Sequence, residues 1–386
     1  MADELALLER VQRKVLWLSA FMVHHANARR ASADTTKVGG HQASSASVVS
    51  LLTALYGKAL RTDDLVAVKA HAAPAFYALQ YLRGRLPMEA LAGLRQFGGL
   101  QAYPSRRKNP ELVELSTGSM GLGAVQATFC ALGAQYLVDH FGTRPPGRII
   151  VMVGDAELDE GNVWEALAEE AVARLGRVLW IVDVNRQALD RIVPDARTRQ
   201  LGRMFAACGW RVAELRWGRR LRARFATPGG ERLERRLDAM SNAEYLRLLR
   251  YGAGAVRKAL VAGADGRTDA ALDRLLGAVG DDELSALVAD TGGHDLALIL
   301  EALAEAERER DRPTVILAHT IKGFGLPLAA DPLNHTALLT ETQIEELRAA
   351  LGVAPGGEWD GFPPESEEAA LLRRLPPLWA PPRPAA

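Results

Sequence analysis

Two apolar runs, RIIVMVGD (148–155) and VLWIVDVN (178–185), constrain this chain more than any other feature. Neither alternates apolar with polar residues. A strand that is apolar on both faces belongs in the interior of a parallel sheet covered on both sides. The segment between them, Gly161–Leu175, has helical periodicity, and Gly176 stands where a helix C-terminal cap is expected. Strand, helix and strand with short joints form a βαβ unit, so the two strands should be parallel neighbours. The first run stops at Gly154-Asp155 and is followed by Glu157, Asp159 and Glu160; the second stops at Asn185.

The remaining pattern fits an α/β fold with a mostly parallel sheet and helices on both faces. Residues 5–30 read as an amphipathic helix whose apolar stripe suits a core or a subunit interface. A polar loop, Ala31–Gln42, precedes an apolar helix over Ala46–Leu60 and a short strand over Leu65–Lys69. Helix is expected again after Pro74, a long loop over 96–118, a glycine-led helix to Phe141, and punctuation at PPGR (145–148). PTVILAHT (313–320) reads as a late strand. The organisation is therefore an N-terminal helix (1–30), a main domain (31–355) and a Pro-rich tail (356–386). Within the main domain, a charged, helical insertion spans about 215–310, with Gly-rich breaks near 253–266.

Lys+Arg and Asp+Glu balance at 47 each, so no electrostatic case exists for nucleic acid or an anionic membrane. No apolar stretch approaches the ~20 residues of a membrane-spanning helix. Asp3, Glu4, Glu9 and Arg10 precede any apolar run, unlike a signal peptide, and two distant cysteines, Cys130 and Cys208, suit a reducing cytoplasm.

Ligands of open parallel sheets sit beyond the carboxyl ends of the strands. Asp155 and Asn185 occupy two such ends, 30 residues apart, and the βαβ geometry brings them to one edge. A carboxylate and an amide oxygen are hard donors suited to Mg²⁺ or Ca²⁺ and not to zinc. Mg²⁺ completes its octahedron with water and phosphate, so a phosphorylated ligand is implied, near the first turn of the 161–175 helix. Glu157, Asp159 and Glu160 also suit a first turn simply by complementing its dipole.

GDAELDEGNVWEALAEEAVARLGRVLWIVDVNRQ resembles the thiamine diphosphate signature, which begins Gly-Asp-Gly and ends near an Asn pair about 30 residues on. Ala156 replaces the third glycine, and Asp183 stands where the first Asn is common. GGHQASSAS, KAHAAPAFYALQYLRGRL, LRQFGGLQAYPS, STGSMGLG, TGGHD and AHTIKGFG follow the order of the homodimeric type of pyruvate dehydrogenase first component. EGNVWEA and STGSMG resemble transketolase equally; the two families share the fold. The resemblance covers about residues 20–375.

The resemblance implies bound thiamine diphosphate with Mg²⁺ (or Ca²⁺), held by Asp155, Asn185 and the backbone at Gln187. It places Ser44, Tyr103, Met120, Gly121, Gly154, Ala156, Glu157 and Lys322 around the cofactor. It places His41, His71 and His335 around the reactive carbon, His335 on a loop after Gly323-Phe-Gly325. His319 suits a strand-end cap, and His24 and His25 a structural role. In the family a second domain carries the glutamate that activates the cofactor. No second copy of the fold follows here, so the resemblance implies a partner subunit that supplies it, in an α₂β₂ assembly.

The implied reaction is decarboxylation of pyruvate or a related 2-oxo acid, with transfer of the two-carbon unit to a lipoyl arm or a carbonyl compound such as a keto-sugar. No counterpart of the family's N-terminal docking extension is expected here, which weakens the case for a multienzyme complex and leaves room for a free-standing carboligase. The alternatives are a split transketolase moving a ketol unit between sugar phosphates, and a non-catalytic subunit that kept the fold. The GGLQAYPS block favours the dehydrogenase type; Ala156 and Asp183 leave room for the silent subunit.

Overall fold

The computed structural model describes residues 2–31, 37–143, 147–262 and 268–374. Five parallel strands make the sheet: β1 (Leu65–Ala67), β2 (Ile149–Gly154), β3 (Val178–Val184), β6 (Arg211–Leu215) and β7 (Thr314–His319), in the order β1-β2-β3-β7-β6. A two-stranded antiparallel hairpin, β4 (Gln187–Ala188) with β5 (Arg191–Ile192), follows β3. β2 and β3 are the parallel neighbours expected, in a register that sets Gly154 opposite Asp183.

Every residue of β2, β3 and β7 is buried, because successive side chains enter two different cores. Ile150, Met152, Leu179, Ile181 and Ile316 face one; Ile149, Val151, Val153, Trp180, Val182 and Leu317 face the other. The first core is closed by α1 (Ala2–His24), α3 (Val49–Ala54) and α4 (Ala73–Leu82). The second is closed by α6 (Leu122–Phe141), α7 (Gly161–Ala168) and α8 (Asp195–Ala207). Helix α1 is interior on most of its surface, with Leu8, Val11, Trp17, Leu18 and Met22 fully buried, and it ends in a π-helical turn, His25–Arg29. Among the described residues no helix is long and apolar enough to cross a membrane.

Several boundaries differ from the sequence expectation. The helix expected over Ala46–Leu60 is broken: α2 (Gln42–Ala46) stops before Ser47, whose hydroxyl turns to Asp183, and α3 runs into a π turn, Leu55–Ala59. The helix expected over Gly161–Leu175 ends at Ala168, where Glu169 turns extended, and Gly176 caps nothing. Its backbone lies against Arg310; an added Cβ would fall 1.9 Å from the Arg310 carbonyl oxygen, so only glycine fits there. Strand β6 and α5 (Met88–Ala92) had no counterpart in the sequence reading.

In the 215–310 stretch, α9 (Arg219–Phe225), α10 (Gly230–Ala239), α11 (Asn242–Leu248), α12 (Ala253–Val261), α13 (Ala270–Leu276) and α14 (Asp281–Val288) surround a core of their own, built on Trp217, Leu233, Leu237, Tyr245, Leu260 and Leu284. By contrast α15 (Leu296–Arg308), started by Asp295 as N-cap, buries Leu296, Ile299 and Leu303 in the main core. Inside the Pro-rich tail, α17 (Glu367–Arg373) follows α16 (Glu341–Ala350) and buries Leu371 and Leu372 against α1. Residues 375–386 of that tail, 32–36 of the polar loop, Pro145 and Pro146 of PPGR, and 263–266 of the Gly-rich breaks lie outside the described residues.

Candidate active site

The carboxyl ends of β1, β2, β3 and β7 open on one cavity of about 640 Å³. At its base lies a carboxylate, Asp183, that water cannot reach. Asp183 Oδ2 accepts from Lys69 Nζ at 2.6 Å, Ser47 Oγ at 2.7 Å and Asn185 Nδ2 at 3.0 Å, and Oδ1 accepts from Thr320 Oγ1. Burial alone would raise its pKa, but Lys69 and the hydroxyl donors outweigh burial and hold it below the ordinary value. This network ties the ends of β1, β3 and β7 to α2. It also orients Asn185. A carboxylate can only accept, so the Asn185 amide nitrogen must face Asp183 and its oxygen must face the other way. That oxygen accepts from Gln187 N at 3.1 Å.

Asp155 and the turn after β3 are joined directly. Asp155 Oδ2 accepts from Arg186 N and Oδ1 from Ala156 N, both at 2.9 Å. The carboxylate and the Asn185 oxygen thus belong to neighbouring strand tips joined by the Arg186 N–H bond to the Asp155 carboxylate, and both residues line the cavity with Gln187. Burial, then the nearby Asp183, raises the Asp155 carboxyl to about 7. Glu157 accepts from Gly154 N at 3.0 Å and from Gly121 N at 3.2 Å, so both its oxygens brace β2 against the start of α6. Gly121 adopts φ +74°, and a Cβ there would lie 2.8 Å from Val163 Cγ2. It is the one expected site residue that does not line the cavity; its N–H works from behind Glu157.

Across the cavity stand three imidazoles. His41 and His71 stack with ring centres 4.0 Å apart, His335 lies 4.9 and 5.3 Å from them, and one ring nitrogen of each comes within 4.8 Å of the others. Burial first, then neighbouring cations and one another, lowers His41 to about 3 and His71 to about 2; burial and Lys322 lower His335. All three are neutral near pH 7. Lys322, itself lowered to about 8 by burial and Lys69, donates to Leu189 O at 3.0 Å and lies 3.4 Å from His335 Nδ1. Ser44, Tyr103, Met120, Gly154 and Ala156 complete the expected lining.

Lys69 and Arg191 also line the cavity and had no site role in the sequence reading. Lys69 had a signal: a lysine closing an apolar strand two residues before His71. His319 does not reach the cavity. Its Nε2 meets Glu214 Oε1 at 2.8 Å and its Nδ1 meets Arg186 Nη2 at 3.0 Å. His24 binds Leu339 O and Glu341 and does not line the cavity.

The family model "Transketolase, thiamine diphosphate binding domain" matches residues 36–223 and 282–361, more than half of the chain. The chain belongs to the transketolase thiamine diphosphate-binding family. The "Pyruvate dehydrogenase E1 component" of Corynebacterium glutamicum is 28% identical over 388 residues, covering 97% of this chain and 40% of that protein. Its Mycobacterium tuberculosis counterpart is 30% identical over 359 residues, covering 88% and 37%. The solved transketolase from Leishmania mexicana superposes with a TM-score of 0.66 at 20% identity, over 95% of this chain and 44% of that one, and so shares the fold. The chain thus spans about two fifths of the length of the curated relatives it matches.

The cavity suits the cofactor of this family. Asp155, the Asn185 oxygen and the Gln187 carbonyl are hard oxygen donors of the kind Mg²⁺ or Ca²⁺ takes. A divalent ion there would offset both the burial of Asp155 and the proximity of Asp183, the two causes of its raised pKa. Lys69 and Lys322 add positive charge toward a diphosphate, and Gln187 Oε1 is a buried acceptor without a partner at the same edge.

Proposed function

We propose that this chain is the diphosphate-binding subunit of a two-chain thiamine diphosphate enzyme. It would decarboxylate pyruvate or a related 2-oxo acid and pass the two-carbon unit to an acceptor, either a lipoyl group or a carbonyl compound such as a keto-sugar. The observation that carries this reading is one cavity with two faces: oxygen donors on neighbouring strand tips, joined through the Arg186 N–H, and three neutral imidazoles opposite. The resemblance of the GGLQAYPS block and the pyruvate dehydrogenase relatives support the choice of substrate class.

When bound, the cofactor supplies the nucleophilic carbon and the electron sink. The chain's own residues would do the rest. Asp155, Asn185 and the Gln187 carbonyl hold Mg²⁺ (or Ca²⁺) against the diphosphate. His41, His71 and His335, neutral at working pH, accept or return a proton at the substrate oxygen, a contribution of about 10²–10⁴-fold for each such transfer. Lys322 offers a cation to the diphosphate. The activating glutamate comes from a partner subunit that carries the pyrimidine-binding domain, in an α₂β₂ assembly within the cytoplasm.

Calorimetry with thiamine diphosphate and Mg²⁺, with and without the partner chain, tests the reading, followed by CO₂ release from pyruvate. Binding with pyruvate-dependent CO₂ release supports it. Ketol transfer between sugar phosphates without CO₂ release would make the chain a split transketolase instead. No cofactor binding in either condition would make it a non-catalytic subunit.

A further inference from the structure

Residues 224–281 lie outside both segments matched by the family model, yet one helix of that stretch, α11, touches two loops of the cavity. The first contact is with the metal-facing turn. Arg186 is 4% exposed, forms no ion pair among the described residues, and holds φ +65°, a conformation unfavourable for a side chain with a Cβ. Its guanidinium lies over the Tyr245 ring, 4.5 Å from the ring centre, and among the described residues its only side-chain hydrogen bond runs to the ring nitrogen of His319. The Arg186 N–H is the group bonded to Asp155. Asn242, at the start of the same helix, donates to Val193 O at 2.8 Å, and Val193 N donates to Arg186 O at the same distance.

The second contact is with the loop that carries Lys322 and His335. Arg250, just after α11, pairs with Asp331 at 2.8 Å, and the Asp331 carbonyl accepts from Gln187 Nε2 at 2.8 Å. Leu246 packs with Ile321 and Ala330 in a small buried cluster, and Ala330 is another left-handed residue, φ +57°. A left-handed residue in each loop, Arg186 in one and Ala330 in the other, is therefore in contact with a residue of α11. A buried cation accepts such a site only where a π face or a hydrogen bond replaces its water.

We propose that α11 is a positioning element for the cavity: Tyr245 fixes the Arg186 turn against Asp155, while Leu246 and Arg250 fix the loop that presents His335. What it positions rests on the proposed function; that it positions these loops does not. In the full chain, Tyr245→Leu leaves the buried guanidinium uncovered. Amide hydrogen exchange at 186–189 should then rise about tenfold or more, while β2 and β3 stay unchanged; Arg250→Ala should give the corresponding rise at 331–335. Tyr245→Phe, which keeps the ring and loses only the hydroxyl bond to Val288 O, should exchange as the parent does. Adding Arg186→Met to Tyr245→Leu should restore slow exchange, because no buried charge remains. Unchanged exchange in Tyr245→Leu, a uniform rise over the whole sheet, or a Tyr245→Phe variant as fast as Tyr245→Leu would each overturn the inference. A second arm reads Mg²⁺-dependent thiamine diphosphate affinity, expected to fall about tenfold in Tyr245→Leu alone. If the parent binds no cofactor, the proposed function fails, and the exchange data still decide the role of α11.

Discussion

Lys69 and Asp183 form a buried charge pair at a place where the family commonly carries a neutral asparagine in the Asp183 position. The pair should therefore be replaceable as a unit and intolerant of half-replacement. Asp183→Asn alone leaves the Lys69 ammonium, 5% exposed, without its counter-charge. Breaking a buried pair costs about 3–5 kcal/mol, and the lower end applies because one of the Ser47 and Thr320 hydroxyls can still donate to the amide oxygen while the other accepts from the amide nitrogen. Lys69→Gln alone leaves Asp183 with three of its four donors, a loss of about 2 kcal/mol. The double variant substitutes one neutral hydrogen-bonded pair for a charged one and should lie within about 2 kcal/mol of the parent. The expected coupling is thus about 3 kcal/mol against a sum of singles near 5. Urea denaturation followed by tryptophan fluorescence reads it, since Trp180 is fully buried on the opposite face of the same strand. Singles that add to within about 0.5 kcal/mol of the double would refute the reasoning. The sign with pH follows from the lowered Asp183 carboxyl. Its stabilisation is complete above the ordinary carboxylate range and disappears only as pH falls through the depressed folded value.

Four other outcomes are expected. Asp155 is raised to about 7, so in the ligand-free protein its ionisation costs stability as pH climbs from about 4 toward 7. For the same reason Mg²⁺ affinity with thiamine diphosphate should rise about tenfold per pH unit up to about 7 and then level off, and a pH-independent calorimetric affinity would contradict the assignment. His71→Ala should lower turnover by about 10²–10⁴-fold with cofactor affinity unchanged; a variant that loses cofactor binding instead would move His71 to the cofactor-holding face. Gly121→Ala, strained at φ +74° and in collision with Val163, should lose about 1–3 kcal/mol in denaturant titration, and a neutral result would mean that α6 shifts freely.

The central β2–α7–β3 unit and β7 were legible because strands buried on both faces must be continuously apolar. The strand-tip positions of Asp155 and Asn185 followed from that alone. Features set by distant partners were not legible. Ser47 breaks the 46–60 helix because it bonds Asp183, 136 residues away in sequence. Gly176 serves a close approach to Arg310 and no helix end. Lys69 has meaning only beside Asp183, and β6, with a glutamate facing outward and only its last residue buried, carries a weak apolar signal. Helix α17 was hidden by the prolines around it. Asp183 was visible as a departure, but its effect, turning the Asn185 oxygen toward the cavity, depends on a network spread over four segments.

Helix α1 has a consequence for synthesis. Trp17 donates to the carbonyl of Glu358, 341 residues further on, and Arg10 pairs with Glu368. At about 5–20 residues per second, the ribosome needs roughly 20 to 70 s between making the tryptophan and making its acceptor. Throughout that interval the buried face of α1, with Leu8, Val11, Trp17, Leu18 and Met22, lacks the part of its covering that α17 and the Glu358 segment supply, and it stays open to association with other chains until they are made.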